Sequence, residues 1–458
     1  MLRVDNISYE YSGTGSKVLD QANLELKQGE IVLLSGPTGS GKSTMALLAA
    51  GILQRHGQGL CHGSITLGGR DVTSIIPRDL ARELGILFQN VDLQLFHDRV
   101  TEDIAFGPEN LGFSPESVSI CLERELSRFD LCSYRDREIS TLSGGYRQRV
   151  AMAGMIAMGQ GYLILDEPLA FLDRSAGQSL VNLLGQIKQR IGVLLIEHRT
   201  DLVKAVADRV LHLSNGEVLP GSPPASANNF FCYGPGGPEV MRAQEASYRF
   251  PKYEVSVLKG CTLTLRQGIS HVLLGDNGCG KTTLLKVLAG LINPLMGSVE
   301  LVASKSKGKG PFQGVGLVLQ NPDHQLFMPT VAEEVQTFAR QKSLAGQLLE
   351  ELHLDPFAAR HPQSLSRGQK RRLALAAILA QRPRVLLLDE PTVGQDPESL
   401  KLMLIALHRF VSEGGCLLSA THDYHAGRAL GQVVWHMGDG RILEQGGSEL
   451  VKRYFSEF

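Results

Sequence analysis

The apolar positions along the chain fall into short unbroken runs, too short for membrane spans and too regular for loops. EIVLLSG and ISHVLLG, YLILDE and RVLLLDE, and GVLLIEH and CLLSATH each read as a strand buried on both faces, the signature of a parallel sheet. Between them lie helical periods, MALLAAGIL and LLKVLAGLI early in each half, and RQRVAMAGMIAM and KRRLALAAILA later. The runs come in pairs, in the same order, so the chain is an internal repeat whose second copy is the shorter. The order of elements predicts an α/β domain in each half, with a helical insertion near residues 90–140 and again near 321–362.

Between the copies, GSPPASANNFFCYGPGGPE from Gly221 to Glu239 is rich in Gly, Pro, Ser and Asn and has no helical period. It reads as a linker, giving domains at 1–220 and 240–458. A flexible coil of this length spans about 25 Å, short enough to hold two domains at high mutual concentration. The length of 458 residues supports two such cores.

Composition changes this picture little. The chain is 43% hydrophobic and 20% charged with a net charge of −1, which gives no global bias toward nucleic acid or anionic membranes. The longest apolar stretch, Val150 to Leu165, is interrupted by Gln160 and reads as a core helix followed by a core strand. The N-terminus MLRVDNISYEY lacks the apolar core of a signal peptide. Seven cysteines without a C-x-x-C pair predict free thiols in a reducing compartment, and Cys61-His62 alone does not make a zinc site. The basic run SKSKGKG, Ser304 to Gly310, predicts a solvated hairpin tip.

The chemistry concentrates at the ends of the strands. GPTGSGKST, Gly36 to Thr44, and GDNGCGKTT, Gly275 to Thr283, each fit G-x-x-x-x-G-K-[ST] between a strand and a helix. Gly36, Gly39 and Gly41, and likewise Gly275, Gly278 and Gly280, let backbone N–H groups converge on a phosphate at a helix N-terminus. Lys42 and Lys281 then reach the β- and γ-phosphates, the Ser43 and Thr282 hydroxyls reach Mg²⁺, and Thr44 and Thr283 complete the loops. The strand-end pairs Asp166-Glu167 and Asp389-Glu390 supply one carboxylate for the Mg²⁺ shell and one to polarise the attacking water. LSGGYRQRV and LSRGQKRRL place Ser143, Gly144 and Gly145, and Ser366 and Gly368, at the N-terminus of basic amphipathic helices.

This ordered set, with Asp173 or Asp396 and a histidine closing each copy, resembles the ATP-binding-cassette family over nearly the whole chain outside the linker. The resemblance implies two tandem P-loop NTPase domains, each with a helical and an antiparallel β subdomain, that bind ATP and Mg²⁺ and close head to tail. It further implies that Gln89 and Gln320 sense Mg²⁺, that His198 and His422 hold the γ-phosphate and water, and that Tyr11 and Phe250 stack on adenine. Lys42, Glu167 and His198 then face LSRGQ, where Arg367 replaces a glycine, whereas Lys281, Glu390 and His422 face LSGGY, where Tyr146 replaces the usual glutamine. The second site is therefore expected to be the better hydrolytic one. Cys279 within the second loop is expected to be shielded from thiol reagents by ATP.

FQNVDLQLF and LQNPDHQLF, with VTEDIAFGPENLGF after the first, resemble energy-coupling-factor transporters, importers of vitamins and transition metals. That resemblance implies a peripheral subunit on the cytoplasmic face of the membrane. It places Asp92, Gln94, Asp323 and Gln325 against a membrane scaffold (T-type) subunit that works with a substrate-capture (S-type) subunit. The alternatives are a soluble twin-cassette ATPase acting on ribosomes, although such relatives carry a long charged linker, and the energising subunit of another ABC importer class. A chromosome-type cassette would need coiled-coil heptads, and none appear.

Overall fold

The computed structural model describes the chain except residues 14, 38, 171, 173, 198–199, 222–233, 235, 252–254, 303–313, 340, 393–394, 396 and 457–458. The chain divides into two units, Met1–Ala225 and Ser226–Phe458. The SKSKGKG run, Asp173, Asp396 and His198 lie outside the described residues.

Each unit is built on a six-stranded sheet. In the first, the order across the sheet is Leu84–Leu87, Tyr162–Asp166, Gly192–Ile196, Ile31–Ser35, Arg209–Ser214 and Glu217–Pro220. All neighbours run parallel except the last two, which form an antiparallel hairpin. The second unit repeats this order with Val315–Val318, Val385–Asp389, Cys416–Thr421, Ser270–Leu274, Val433–Gly438 and Arg441–Gly446. The central strands are buried at every position, as their unbroken apolar runs require.

Alternation along these strands divides each core in two. In the first unit Ile31, Leu33, Leu163 and Leu165 pack toward the helices, while Val32, Leu34 and Ile164 pack toward an antiparallel sheet of Leu2–Tyr11, Lys17–Leu26 and Gly59–Leu67. In the second, Leu386 and Leu388 face the helices, and Val385 and Leu387 face the antiparallel sheet of Glu239–Tyr248, Leu258–Arg266 and Met296–Leu301. The expected helical insertions are Val100–Asn110 and Pro115–Arg128 in one unit, and Val331–Gln336 and Lys342–Glu351 in the other. Val150 to Leu165 is, as expected, a helix end followed by a core strand. No helix among the described residues is long and apolar enough to cross a membrane.

Candidate nucleotide-binding sites

Both glycine-rich loops leave a central strand at its carboxyl end and enter the helices Lys42–Ala49 and Lys281–Leu288. The sharp exit needs a residue without a side chain. A Cβ on Gly36 would lie 2.4 Å from the Leu213 carbonyl oxygen, and one on Gly275 would lie 2.4 Å from that of Met437. The loop lysines fold back into the curl. Lys42 Nζ donates to the carbonyls of Gly36 (2.9 Å) and Pro37 (2.8 Å), and Lys281 Nζ to those of Gly275 (2.7 Å) and Asp276 (3.2 Å). Each is a buried cation aimed at the centre of a backbone nest, which suits the residues to a phosphate chain.

The strand-end acids stand beside these loops. Glu167 and Glu390 both adopt left-handed backbone, φ 52° and 48°, an unusual conformation for glutamate that recurs at the matching position of each unit. The Thr282 hydroxyl donates to Asp389 Oδ2 at 2.8 Å, while Asp389 Oδ1 is buried with no hydrogen-bond partner among the described residues. A hydroxyl and an unsatisfied carboxylate oxygen side by side are a fitting donor set for Mg²⁺. Burial pushes the Asp389 carboxyl up to about 6, and the neighbouring Glu390 charge adds to the push.

Both glutamates are hydrogen-bonded where they stand. Gln89 Nε2 donates to Glu167 Oε2 at 2.8 Å. Glu390 lies 2.9 Å from His422 Nδ1 and 3.5 Å from Lys281 Nζ, and accepts from the His422 backbone N–H at 3.2 Å. Burial pushes the Glu390 carboxyl up, yet His422 and Lys281 more than offset it and hold it at about 2. The structure therefore brings His422, Glu390, Asp389, Lys281 and Thr282 together. In the first unit the strand Gly192–Ile196 is followed by buried Glu197, whose carboxylate accepts from Leu169 N at 2.7 Å.

Tyr11 and Phe250 occupy matching places, each edge-on to a tyrosine two residues earlier: Tyr9 at 5.0 Å and Tyr248 at 5.1 Å. The Tyr11 hydroxyl lies 3.0 Å from Thr44 Oγ1, which puts this ring beside the first loop.

Ser143 and Ser366 are both N-caps. Ser366 closes a full capping box: Gln369 N donates to its hydroxyl (3.3 Å), and its own N–H donates to Gln369 Oε1 (2.9 Å). Ser143 makes no side-chain cap, and Tyr146, which stands where Gln369 does, has no amide acceptor to return to the Ser143 N–H and packs on Tyr134 at 4.3 Å.

Two readings of the sequence are corrected. The helix Arg367–Ala380 is not basic on a solvated face at Arg371 and Arg372. Arg371 is 1% exposed and donates to the Gln320 carbonyl at 2.8 Å, and Arg372 donates to that of Leu352 at 2.9 Å. Its counterpart Gln148 donates to the Pro168 carbonyl. Gln94 and Gln325 do not point outward to a partner either. Gln94 bridges Phe88 N and Ile86 O, both at 2.7 Å, and Gln325 bridges Leu319 N and Leu317 O at the same distances. Asp92 and Asp323 pair with Arg147 (3.1 Å) and Lys370 (2.7 Å). Large apolar side chains also face solvent here, with Leu93, Phe96 and Phe327 exposed by 70%, 69% and 72%. Within the Q-L-F triplets only the phenylalanines are left outside, since Leu326 is buried in its core and Leu95 packs against its own.

Residues 19–170 and 258–393 match the family model described as ABC transporter. A Methanosarcina acetivorans protein named as an ABC transporter ATP-binding protein is 32% identical over 97% of this chain and 85% of its own length. A Bacillus subtilis protein named as an HMP/thiamine import ATP-binding protein is 32% identical over 92% of this chain and 87% of its own. Among solved structures, the archaeal ribosome recycling factor aABCE1, crystallised with ribosomal stalk protein aP1, superposes with a TM-score of 0.67 at 19% identity, covering 99% of this chain and 92% of that one. At that identity the likeness is one of fold. The chain belongs to the ABC transporter family and is an ATP-hydrolysing protein with two cassettes.

Proposed function

We propose that this chain is the energising subunit of an energy-coupling-factor importer, driving uptake of a vitamin or transition-metal ion through separate membrane subunits. The carrying observation is the exposed apolar segment beside each glutamine loop. Leu93 and Phe96 in the first unit and Phe327 in the second are presented on backbone that is fixed from behind. Buried Asp103 Oδ1 accepts from Phe96 N (2.7 Å) and His97 N (3.1 Å), and buried Glu334 Oε2 accepts from Phe327 N and Met328 N, both at 2.8 Å. Rigidly presented apolar side chains in matching places suit docking of a membrane scaffold subunit. The name carried by the Bacillus subtilis relative supports import as the task.

In this reading the Lys42 and Lys281 ammonium groups release their loop carbonyls and hold the phosphates of ATP. Ser43, Asp166 and Gln89, and Thr282, Asp389 and Gln320, hold Mg²⁺, which when bound neutralises charge building on the transferring phosphoryl group. Glu167 and Glu390 accept hydrogen bonds from the attacking water and orient it in line. His422, and His198 in the first unit, steady that water and the γ-phosphate, while Tyr11 and Phe250 cover adenine. The cassettes close head to tail, so that Ser143 with Gly144 and Gly145, and Ser366 with Gly368, complete the two sites.

The test is to tag the chain, extract native membranes in mild detergent and identify what accompanies it. Small, very apolar chains are expected, and Phe96→Asp is expected to lose them. Recovery in the soluble fraction with ribosomes or nucleic acid would leave the ATPase intact and overturn the importer reading.

A further inference from the structure

The C-terminal helix Ser448–Ser456 touches both loops that build the second site. The Tyr454 hydroxyl donates to Asp276 Oδ1 at 2.7 Å, and Asp276 is the residue after Gly275 in the phosphate loop. The carbonyl of the same Asp276 accepts from Lys281 Nζ. The Tyr454 ring packs edge-on against His436 at 5.0 Å and against Phe455 at 5.0 Å. Phe455 in turn packs on Tyr424 at 5.5 Å, two residues beyond His422. Val451 lies against Gly427 of the helix Tyr424–Leu430, so close that a Cβ there would meet its Cγ1 at 3.1 Å. One helix thus braces the loop carrying Lys281 and the segment carrying His422. The first unit has Pro37 at the loop position of Asp276.

We propose that Tyr454 is a positioning residue of the second nucleotide site. Its hydroxyl keeps the Asp276 carboxylate engaged with the C-terminal helix, so that this negative charge does not turn toward the nucleotide phosphates or capture Lys281. The inference rests on reading Gly275–Thr283 as an ATP site.

Cys279 lies within the same loop and supplies a site-resolved reporter. The full-length chain is titrated with ATP in the absence of Mg²⁺, and thiol labelling of Cys279 is followed by peptide mass spectrometry. Tyr454→Phe keeps the ring contacts and removes only the hydroxyl. It is expected to raise the ATP concentration that half-protects Cys279 about fivefold, the worth of one hydrogen bond. In an Asp276→Asn background, where no charge is left to restrain, the same change is expected to have no further effect. An unchanged midpoint in Tyr454→Phe, or an equal shift in the Asp276→Asn background, would sink the proposal. Failure of ATP to protect Cys279 in the unaltered chain would instead remove the nucleotide reading of the loop, and the proposal with it.

Discussion

The two units share a strand order, a loop geometry and even the left-handed glutamate after each strand-end aspartate, yet their polar side chains are wired differently. In the first, Pro37 stands in the phosphate loop, Ser143 makes no side-chain cap and Gln148 holds a carbonyl. In the second, Asp276 takes that loop position and is held by Tyr454, Ser366 is locked in a capping box, and Arg371 fills the place of Gln148. Packing requires the apolar strands to be the same in both copies, because each must be sealed between helices and an antiparallel sheet. It makes no such demand on the groups at the strand ends. A duplicated fold can therefore keep its backbone while its two sites diverge in charge.

The largest effect that could break the comparison lies in the glutamates. Glu390→Gln is expected to lower ATP turnover about a hundredfold or more, and Glu167→Gln less than about tenfold. Steady-state phosphate release from each variant decides it, and the reverse order would overturn the ranking of the sites. Next is Asp389, whose carboxyl is pushed up to about 6 by burial. A folded-state value above the unfolded one means that ionising Asp389 costs stability, a cost absent below about pH 4 and complete above about pH 6. Without Mg²⁺ or nucleotide, Asp389→Asn should therefore stabilise the second unit by at most about 3 kcal/mol near pH 8 and by nothing near pH 4. The chain's single tryptophan, Trp435, is buried in the second unit, so urea unfolding followed by its fluorescence reads that unit. A gain independent of pH would mean that burial of the charge is not the cause.

The repeat, the strands, the phosphate loops and the strand-end acids were legible in the sequence because each depends on a local spacing. Four apolar residues followed by Asp-Glu can do little else behind a phosphate loop. The destinations of long polar side chains were not legible. KRR reads as a solvated stripe, yet Arg371 is buried, because the carbonyl it satisfies belongs to Gln320, far away in the chain. Gln94 looked like a surface residue, and only the turn it closes shows both ends of its amide taken up by its own backbone. The Tyr454–Asp276 bond joins residues 178 positions apart, beyond the reach of any periodicity.

The smallest prediction isolates the signature helices. Ser366→Ala removes a hydroxyl that accepts from Gln369 N, and a lost N-cap costs about 1 kcal/mol. The Gln369 amide should then exchange its hydrogen about fivefold faster, since opening of the first turn no longer breaks that bond. Ser143→Ala removes no such bond, so the Tyr146 amide should exchange at an unchanged rate. Amide exchange resolved by mass spectrometry reads both positions in one chain. Equal acceleration in both variants would mean that Ser143 caps its helix in solution despite Tyr146. Ser143 would then be no freer for a phosphate than Ser366, and the contrast between the two loops would rest on Arg367 and Tyr146.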